Sequence, residues 1–164
     1  FAQVFRVYPE RKYKRATYRN IAEVVWAEIG ATGIEEFIRR LTFSALIGNA
    51  DMHLKNWSLI YPDGRTAELA PAYDYVSTIA YLDDTGMALN VARTRQFDEF
   101  NTDELVYLAA KAKLPRKLVL DTARETVERF MRTWRVERSH LGLPTETVTK
   151  INAHLATIPL VCES

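Results

Sequence analysis

The segment IEEFIRRLTFSALI, residues 34–47, constrains the fold of this chain more than any other stretch of its sequence. Six apolar residues recur in it at the spacing of one helix face: Ile34, Phe37, Ile38, Leu41, Ala45 and Leu46. This spacing predicts an amphipathic helix with a buried face, and Gly48 is expected to end it. The upstream segment 19–29 repeats the pattern, and Gly30 and Gly33 are expected to stop that helix. Together the two segments favour a core built from packed helices.

Three further helices are expected downstream. Asn101 or Thr102 can cap the helix that begins DELVYLAAKAKL. Pro115 fits the first turn of a long helix that Gly142 closes, and a last helix is expected over 145–156. The apolar residues of the long helix are expected in the core rather than at an interface: Val119, Ala123, Val127, Phe130, Met131 and Trp134.

One β-hairpin is expected between the two groups of helices. The runs WSLIY (57–61) and TAELA (66–70) are β-prone, and the sequence PDGR between them is typical of a turn. The segment that follows, PAYDYVSTIAYLDDTG, has no regular pattern. With 48% hydrophobic and 26% charged residues, the 164 residues suit one globular domain over 1–164. The predicted fold is mainly α with a small β-hairpin.

Composition narrows the classes of partner. The formal net charge is +1, so no overall charge favours nucleic acid or an anionic membrane. No run approaches the roughly 18 apolar residues of a membrane span, and the single cysteine, Cys162, suits a reducing compartment. We therefore expect a cytoplasmic protein without a membrane partner. Locally, residues 6–19 carry six basic side chains and three tyrosines, which suits either phosphate or nucleic-acid binding or a solvated linker.

The sequence GNADMHLKN, residues 48–56, lies between the best amphipathic helix and the hairpin. A loop held at both ends by regular structure is where catalytic side chains tend to lie. Asp51 and Asn56 stand five residues apart in it, and Asp74 follows the hairpin. Because a hairpin brings its far end back beside its start, we expect Asp51, Asn56 and Asp74 to converge on one site.

These three oxygen-bearing side chains suit a hard cation. Mg²⁺ prefers one or two carboxylates together with phosphate oxygens and water, and an amide oxygen can fill a further position. In phosphoryl transfer, the first aspartate orients the substrate hydroxyl while the asparagine and second aspartate hold metal on the phosphates. His53 and Lys55 could contact the transferring phosphate. For His53 the alternative is a packing role that shapes the loop.

The two blocks GNADMHLKNWSLI and LAPAYDYVST resemble those of the HipA-like serine/threonine kinases, the toxins of HipA/HipB toxin–antitoxin pairs. The lead-in FAQVF, with KY further on, is similar to the start of the helical C-terminal region of that family. The resemblance implies the helical C-terminal lobe of a protein-kinase-like α+β fold that uses ATP and Mg²⁺. It implies Asp51 as the catalytic aspartate, Asn56 and Asp74 as metal ligands, and Tyr73 beside the nucleotide.

The resemblance also implies partners. Members of the family phosphorylate aminoacyl-tRNA synthetases and are restrained by a HipB-like helix-turn-helix antitoxin, so contact with DNA would be indirect. The chain departs from a complete kinase in one respect, because its six glycines form no Gly-rich loop over phosphates. The chain opens at Phe1 within an apolar alternating stretch. We therefore expect a C-terminal piece of a longer protein, without the N-terminal lobe that covers ATP.

Two other functions fit parts of the sequence. A metal-dependent phosphoesterase would use Asp51, His53 and Asp74, although no H-x-H or H-E-x-x-H spacing supports it. A non-catalytic helical module would bind a protein partner through the basic residues of 11–19 and would use the Asp/Asn loop only to end a helix.

Overall fold

The computed structural model describes residues 1–6, 16–83 and 85–163. Its helices are α1 Tyr18–Glu28, α2 Ala31–Leu46, α3 Thr102–Lys111, α4 Arg116–Glu137, α5 Thr145–Leu155 and α6 Pro159–Cys162. Two short strands, β1 Leu59–Ile60 and β2 Glu68–Leu69, and three 3₁₀ turns, Leu54–Asn56, Thr78–Ala80 and Phe97–Glu99, complete the regular structure. The prediction of a mainly α fold with one small hairpin is confirmed.

Helices α1 and α2 form a hairpin whose sharp corner depends on two glycines. Thr17 caps α1, since its hydroxyl accepts the N–H of Asn20 at 3.3 Å. Gly30 separates the helices, but Gly33 lies inside α2, so the prediction that Gly33 stops α1 is wrong. A Cβ on Gly33 would lie 2.7 Å from the Cβ of Ile29. The missing side chain therefore lets the start of α2 approach the end of α1.

The core lies between α2 and α4. All six apolar positions predicted on the face of α2 are completely buried. The first half of α4 contributes Val119, Ala123 and Val127, which are also buried. Further along α4 the prediction of a core face is only partly met, because Phe130 and Trp134 are half-buried and line a cavity. Helix α4 thus changes from core element to cavity wall about halfway along its length.

The hairpin is much shorter than its β-prone sequence. Leu59 pairs with Leu69 and Ile60 with Glu68 in antiparallel register. Asp63 shapes the turn, because its carboxylate accepts the N–H groups of Thr66 at 2.6 Å and Arg65 at 2.8 Å. Hydrogen bonds from Thr66 and Arg65 lower the pKa of Asp63 to about 2. This turn brings the segment that carries Asp74 back to the loop after α2.

A buried carboxylate holds the connection between the hairpin and α3. Glu104 is only 1% exposed. Its Oε1 accepts the N–H groups of Ala92 at 2.9 Å and Arg93 at 2.7 Å, and its Oε2 accepts from Arg93 Nε at 2.7 Å. The same loop binds the start of α1, since the Tyr18 N–H donates to Asn90 O at 2.9 Å. Glu104 therefore links α3 to α1 through one loop.

Gly48, just after α2, is expected to tolerate no side chain. Its φ is +64°, and a Cβ there would lie 2.4 Å from Cγ1 of Ile79. We expect Gly48→Ala to lower the free energy of unfolding by about 1–2 kcal/mol for the left-handed backbone and by about 1–3 kcal/mol more for overpacking. Urea denaturation would measure the loss.

Gly64→Ala is the matched control. Gly64 has φ +75° but nothing within 4 Å of its added Cβ, so it carries the backbone cost without the collision. Equal losses in the two variants would show that Ile79 yields to the new methyl group, and the close packing of Gly48 on Ile79 would then be unimportant.

Candidate active site

The loop between α2 and β1 carries four predicted site residues on a fixed backbone. The N–H of Asn49 donates to Ser44 O at 2.9 Å, and its side-chain Oδ1 accepts the N–H of Asp51 at 2.9 Å. Further along, the hydroxyl of buried Tyr18 donates to Met52 O at 2.6 Å. Burial raises the pKa of Tyr18, so its hydroxyl remains a neutral donor. Both sides of Asp51 are thus anchored to helices.

Asp51 and His53 form the first part of the site. The side chain of Asp51 is 55% exposed, whereas that of His53 is 8% exposed. His53 Nε2 lies 3.9 Å from Asp51 Oδ1. The carboxylate is therefore accessible to a substrate, and the imidazole is buried beside it. The burial of His53 favours the alternative of a packing role in this loop over direct contact with phosphate.

Asn56 and Asp74 form the second part, on opposite sides of the hairpin. Asn56 Nδ2 donates a hydrogen bond to Asp74 Oδ2. Asn56 Oδ1 in turn accepts the N–H of His53 at 3.2 Å. Asp74 has φ +61°, a left-handed conformation that aspartate tolerates better than most residues. The expected approach of Asn56 and Asp74 is present, although they are eighteen residues apart in sequence.

Tyr73 fastens this second part to the loop. Its hydroxyl donates to Lys55 O at 2.6 Å and lies 2.7 Å from the hydroxyl of Ser58. Both contacts join the segment of Asp74 to the residues on either side of Asn56. The ring of Tyr73 remains accessible, with 40% of the residue exposed. Its predicted place beside a nucleotide stays a prediction.

Lys55 is exposed, and only its carbonyl takes part in the hydrogen bond described above. Within 1–6, 16–83 and 85–163, its ammonium group makes no ion pair or hydrogen bond. The basic stretch of residues 7–15 lies outside the described residues, as does most of the surface proposed for a non-catalytic binding module.

Thr78 joins the two parts of the site, and sequence reasoning missed it. Its hydroxyl donates to Gly48 O at 3.0 Å and accepts the N–H of Ala50 at 2.8 Å. The N–H of Ile79 also donates to Gly48 O, at 3.3 Å. These bonds hold the chain after Asp74 against the start of the Asp51 loop. Its only signal in the sequence is a threonine four residues after Asp74, which is too common to single out.

The donor set fits a magnesium ion with one adjustment. The Asp74 carboxylate and the Asn56 amide are in direct contact. Both supply hard oxygen ligands when the amide group is turned so that its Oδ1, rather than its Nδ2, faces Asp74. In that orientation the His53 N–H would lose Asn56 Oδ1 as an acceptor, but it also donates to Asp51 O at 2.8 Å. Among the residues that the structure describes, no three His, Cys, Asp or Glu side chains form a metal cluster. That finding gives no support to a phosphoesterase centre built from Asp51, His53 and Asp74.

The fold of the chain is similar to that of a protein in a solved HipA complex. It superimposes with a TM-score of 0.70 and 20% identity on a chain of the Shewanella oneidensis complex of HipA, HipB and operator DNA. The match covers 95% of this chain and 37% of the other. At 20% identity, this similarity shows that the two chains share a fold and nothing more.

Sequence comparison identifies the family. The profile of the HipA-like C-terminal domain matches residues 1–134, and the chain belongs to that family. A Sinorhizobium fredii protein named "Putative kinase Y4dM" is 53% identical over 99% of this chain and 40% of its own length. A second protein of that organism, "Putative kinase Y4mE", is 30% identical over 80% of this chain and 34% of its own length. The chain thus spans about two fifths of Y4dM, and the resemblance seen in the sequence is confirmed.

No helix in the described part of the chain is both long enough and apolar enough to cross a membrane.

Proposed function

We propose that this chain is the catalytic-loop and metal-binding lobe of an ATP- and Mg²⁺-dependent protein serine/threonine kinase. The observation that carries the proposal is the contact between the Asn56 amide and the Asp74 carboxylate. It joins two potential ligands from opposite sides of the hairpin, at the end of a loop that begins with an exposed carboxylate, Asp51. The family and the names of the two relatives support the same class of protein.

Each side chain has a role that its environment favours. Asn56 and Asp74 would hold Mg²⁺, which neutralises charge on the phosphates of ATP when bound. Asp51 would accept the proton of the substrate hydroxyl, because its carboxylate is accessible. His53 would orient that carboxylate from its buried position. Lys55 would attract the transferred phosphate, and the exposed ring of Tyr73 would contact the nucleotide.

Metal-dependent binding of nucleotide provides a direct test. We expect Asp74→Asn to weaken the affinity of the full-length protein for ATP in the presence of Mg²⁺ by at least about tenfold, because one carboxylate ligand is lost. Without Mg²⁺, the wild type and the variant should bind ATP equally weakly. Isothermal titration calorimetry with and without the metal measures both differences.

Asp98→Asn serves as the control for charge alone. Asp98 is exposed and lies in the 3₁₀ turn before α3, where it has no ion pair with any described residue. A fall in affinity of the same size in this variant, or none in Asp74→Asn, would remove Asp74 from the metal site.

The proposed partners are a protein substrate, for which an aminoacyl-tRNA synthetase is one candidate, and a HipB-like antitoxin. The Shewanella oneidensis structure contains HipA together with HipB and operator DNA, which supports a partner of the HipB type. Contact with DNA would then be through that partner. In gel-shift assays, the full-length protein should retard operator DNA only when the antitoxin is present, and retardation without it would contradict indirect binding.

A further inference from the structure

A large open cavity lies against the segment that carries Asp74 and has no part in the chemistry proposed above. It has a volume of about 880 Å³ and lies between α2, the second half of α4 and the segment 72–77. Pockets that hold small molecules commonly have volumes of about 300–1,000 Å³. The cavity is therefore large enough for a ligand of several rings.

Four aromatic side chains line the cavity: Phe43, Tyr75, Phe130 and Trp134. The rings of Phe130 and Trp134 are stacked with centroids 6.2 Å apart and planes 12° apart. Phe43 meets Phe130 edge to face, with centroids 5.7 Å apart, and its ring is tilted against that of Tyr75 at 5.5 Å. Phe43 keeps 37% of its surface exposed, and Leu141 at the rim keeps 56%. Exposed apolar surface in a concave wall of this kind favours a planar aromatic ligand.

The charges of the cavity favour an anionic group on that ligand. Arg40 is bound to Glu36 at 2.6 Å and to Ala70 O at 2.7 Å, and Arg39 pairs with Glu36 at 3.3 Å. Arg129 also lines the cavity, and within the described residues its guanidinium has no ion pair or hydrogen bond. An exposed guanidinium beside aromatic walls is suited to a carboxylate, sulfonate or phosphate.

Two carboxylates also line the cavity, but within the described residues neither makes an ion pair with Arg129. Glu125 lies one helical turn before Arg129, yet its ion pair is with Arg39 Nη2, at 4.0 Å. Glu137 is two helical turns beyond Arg129, or about 12 Å along the axis. The anion-binding capacity is thus local to the Arg129 end of the cavity.

We propose that this cavity is a binding site for a planar aromatic anion, with the rings against Phe43, Phe130 and Trp134 and the anionic group on Arg129. Its wall also includes Ala72, Tyr75 and Ser77, which flank Asp74 in sequence. A ligand in the cavity would therefore contact the segment that positions Asp74. The site itself does not depend on the kinase activity proposed above.

Two fluorescent probes that differ only in charge can test the proposal in the full-length protein. 8-Anilinonaphthalene-1-sulfonate carries the same rings as N-phenyl-1-naphthylamine and adds one sulfonate. We expect one saturable site per chain, with the sulfonate bound about tenfold more tightly than the neutral compound because of its charge-assisted contact with Arg129. Energy transfer from tryptophan to the probe should fall in Trp134→Phe.

Three variants locate the site. Arg129→Gln should remove the preference for the sulfonate, while Arg132→Gln, an exposed arginine that does not line the cavity, should retain it. Thr133→Trp, which places a large ring at the cavity wall, should weaken binding of both probes. Thermal melting of each variant identifies any that has lost its fold.

Three results would overturn the proposal: no saturable binding, equal affinity for the two probes, or unchanged binding by a folded Thr133→Trp variant. The last result would show that the probes occupy another apolar surface. None of these results depends on phosphate transfer, so the proposed kinase function and this site can fail separately.

Discussion

Replacing Asp51 with asparagine is expected to lower the rate of phosphate transfer by the full-length protein by about 10²–10⁴-fold, the usual contribution of a general base. Asparagine has nearly the same shape but cannot accept the proton of a substrate hydroxyl. Affinity for ATP should change little, because the metal ligands of the proposal are Asn56 and Asp74. Intact-mass measurement after incubation with ATP and Mg²⁺ would show any phosphate added to the protein or to a candidate substrate.

Stability should be almost unchanged by Asp51→Asn. The side chain is 55% exposed, and the backbone N–H of Asp51, which donates to Asn49 Oδ1 at 2.9 Å, is unchanged by the substitution. The two aspartate variants should therefore differ in the property they change: Asp74→Asn should weaken nucleotide binding, and Asp51→Asn should slow phosphate transfer. Normal transfer by Asp51→Asn would show that another group accepts the proton, and the role assigned to Asp51 would be wrong.

Glu104→Gln is expected to have a large effect on stability. The Glu104 carboxylate is 1% exposed and accepts from the N–H groups of Ala92 and Arg93, and from Arg93 Nε. The hydrogen bond to Glu104 raises the pKa of Arg93. Glutamine keeps the shape but turns one oxygen into a donor that faces other donors. We expect a loss of about 3 kcal/mol in the free energy of unfolding, measured by urea denaturation.

Asp103→Asn provides the comparison for Glu104→Gln. Asp103 also contacts Arg93, at 3.3 Å, but its side chain is 82% exposed. Its replacement should change stability by no more than about 0.5 kcal/mol, as is usual for surface substitutions. Similar small losses in both variants would mean that the buried carboxylate is not the group that holds the 90–94 loop.

The destabilisation caused by Glu104→Gln should extend toward the candidate active site. The loop that Glu104 holds binds the start of α1, where the Tyr18 N–H donates to Asn90 O at 2.9 Å. The Tyr18 hydroxyl in turn donates to Met52 O, beside Asp51. A path of hydrogen bonds therefore connects α3 with the loop that carries Asp51, although Glu104 is remote from that loop in sequence.

Much of the fold was predictable because its signals are local. The apolar spacing of residues 34–47 places one face of α2 in the core, and Asn101 caps α3 by accepting the Glu104 N–H at 2.8 Å. The short helix α6 was missed, since its four residues hold too few positions for a periodic pattern. The sequence pattern predicts Gly33 as a stop signal, whereas close packing of α1 on α2 explains this glycine.

The candidate site likewise has features that the sequence predicts and features that it does not. The sequence by itself determined which side chains are available: Asp51, His53, Lys55, Asn56 and Asp74, their order, and the hairpin between the last two. The meeting of Asn56 and Asp74 was expected from that hairpin, because a turn of known type sets where its two ends lie. Local spacing and turn chemistry suffice for such statements.

Only the tertiary structure decided what surrounds these side chains. It buries His53 beside Asp51, holds Gly48 and Ala50 through Thr78, and leaves Arg129 exposed in an aromatic cavity. The hydrogen bonds of Thr78 join residues 28 and 30 positions apart, and the cavity wall brings Phe43 against Phe130, 87 positions away, so no local pattern specifies these contacts. They depend on how α2, α4 and the 72–80 segment pack, because burial and the pairing of charges follow from long-range contacts rather than from neighbours in sequence.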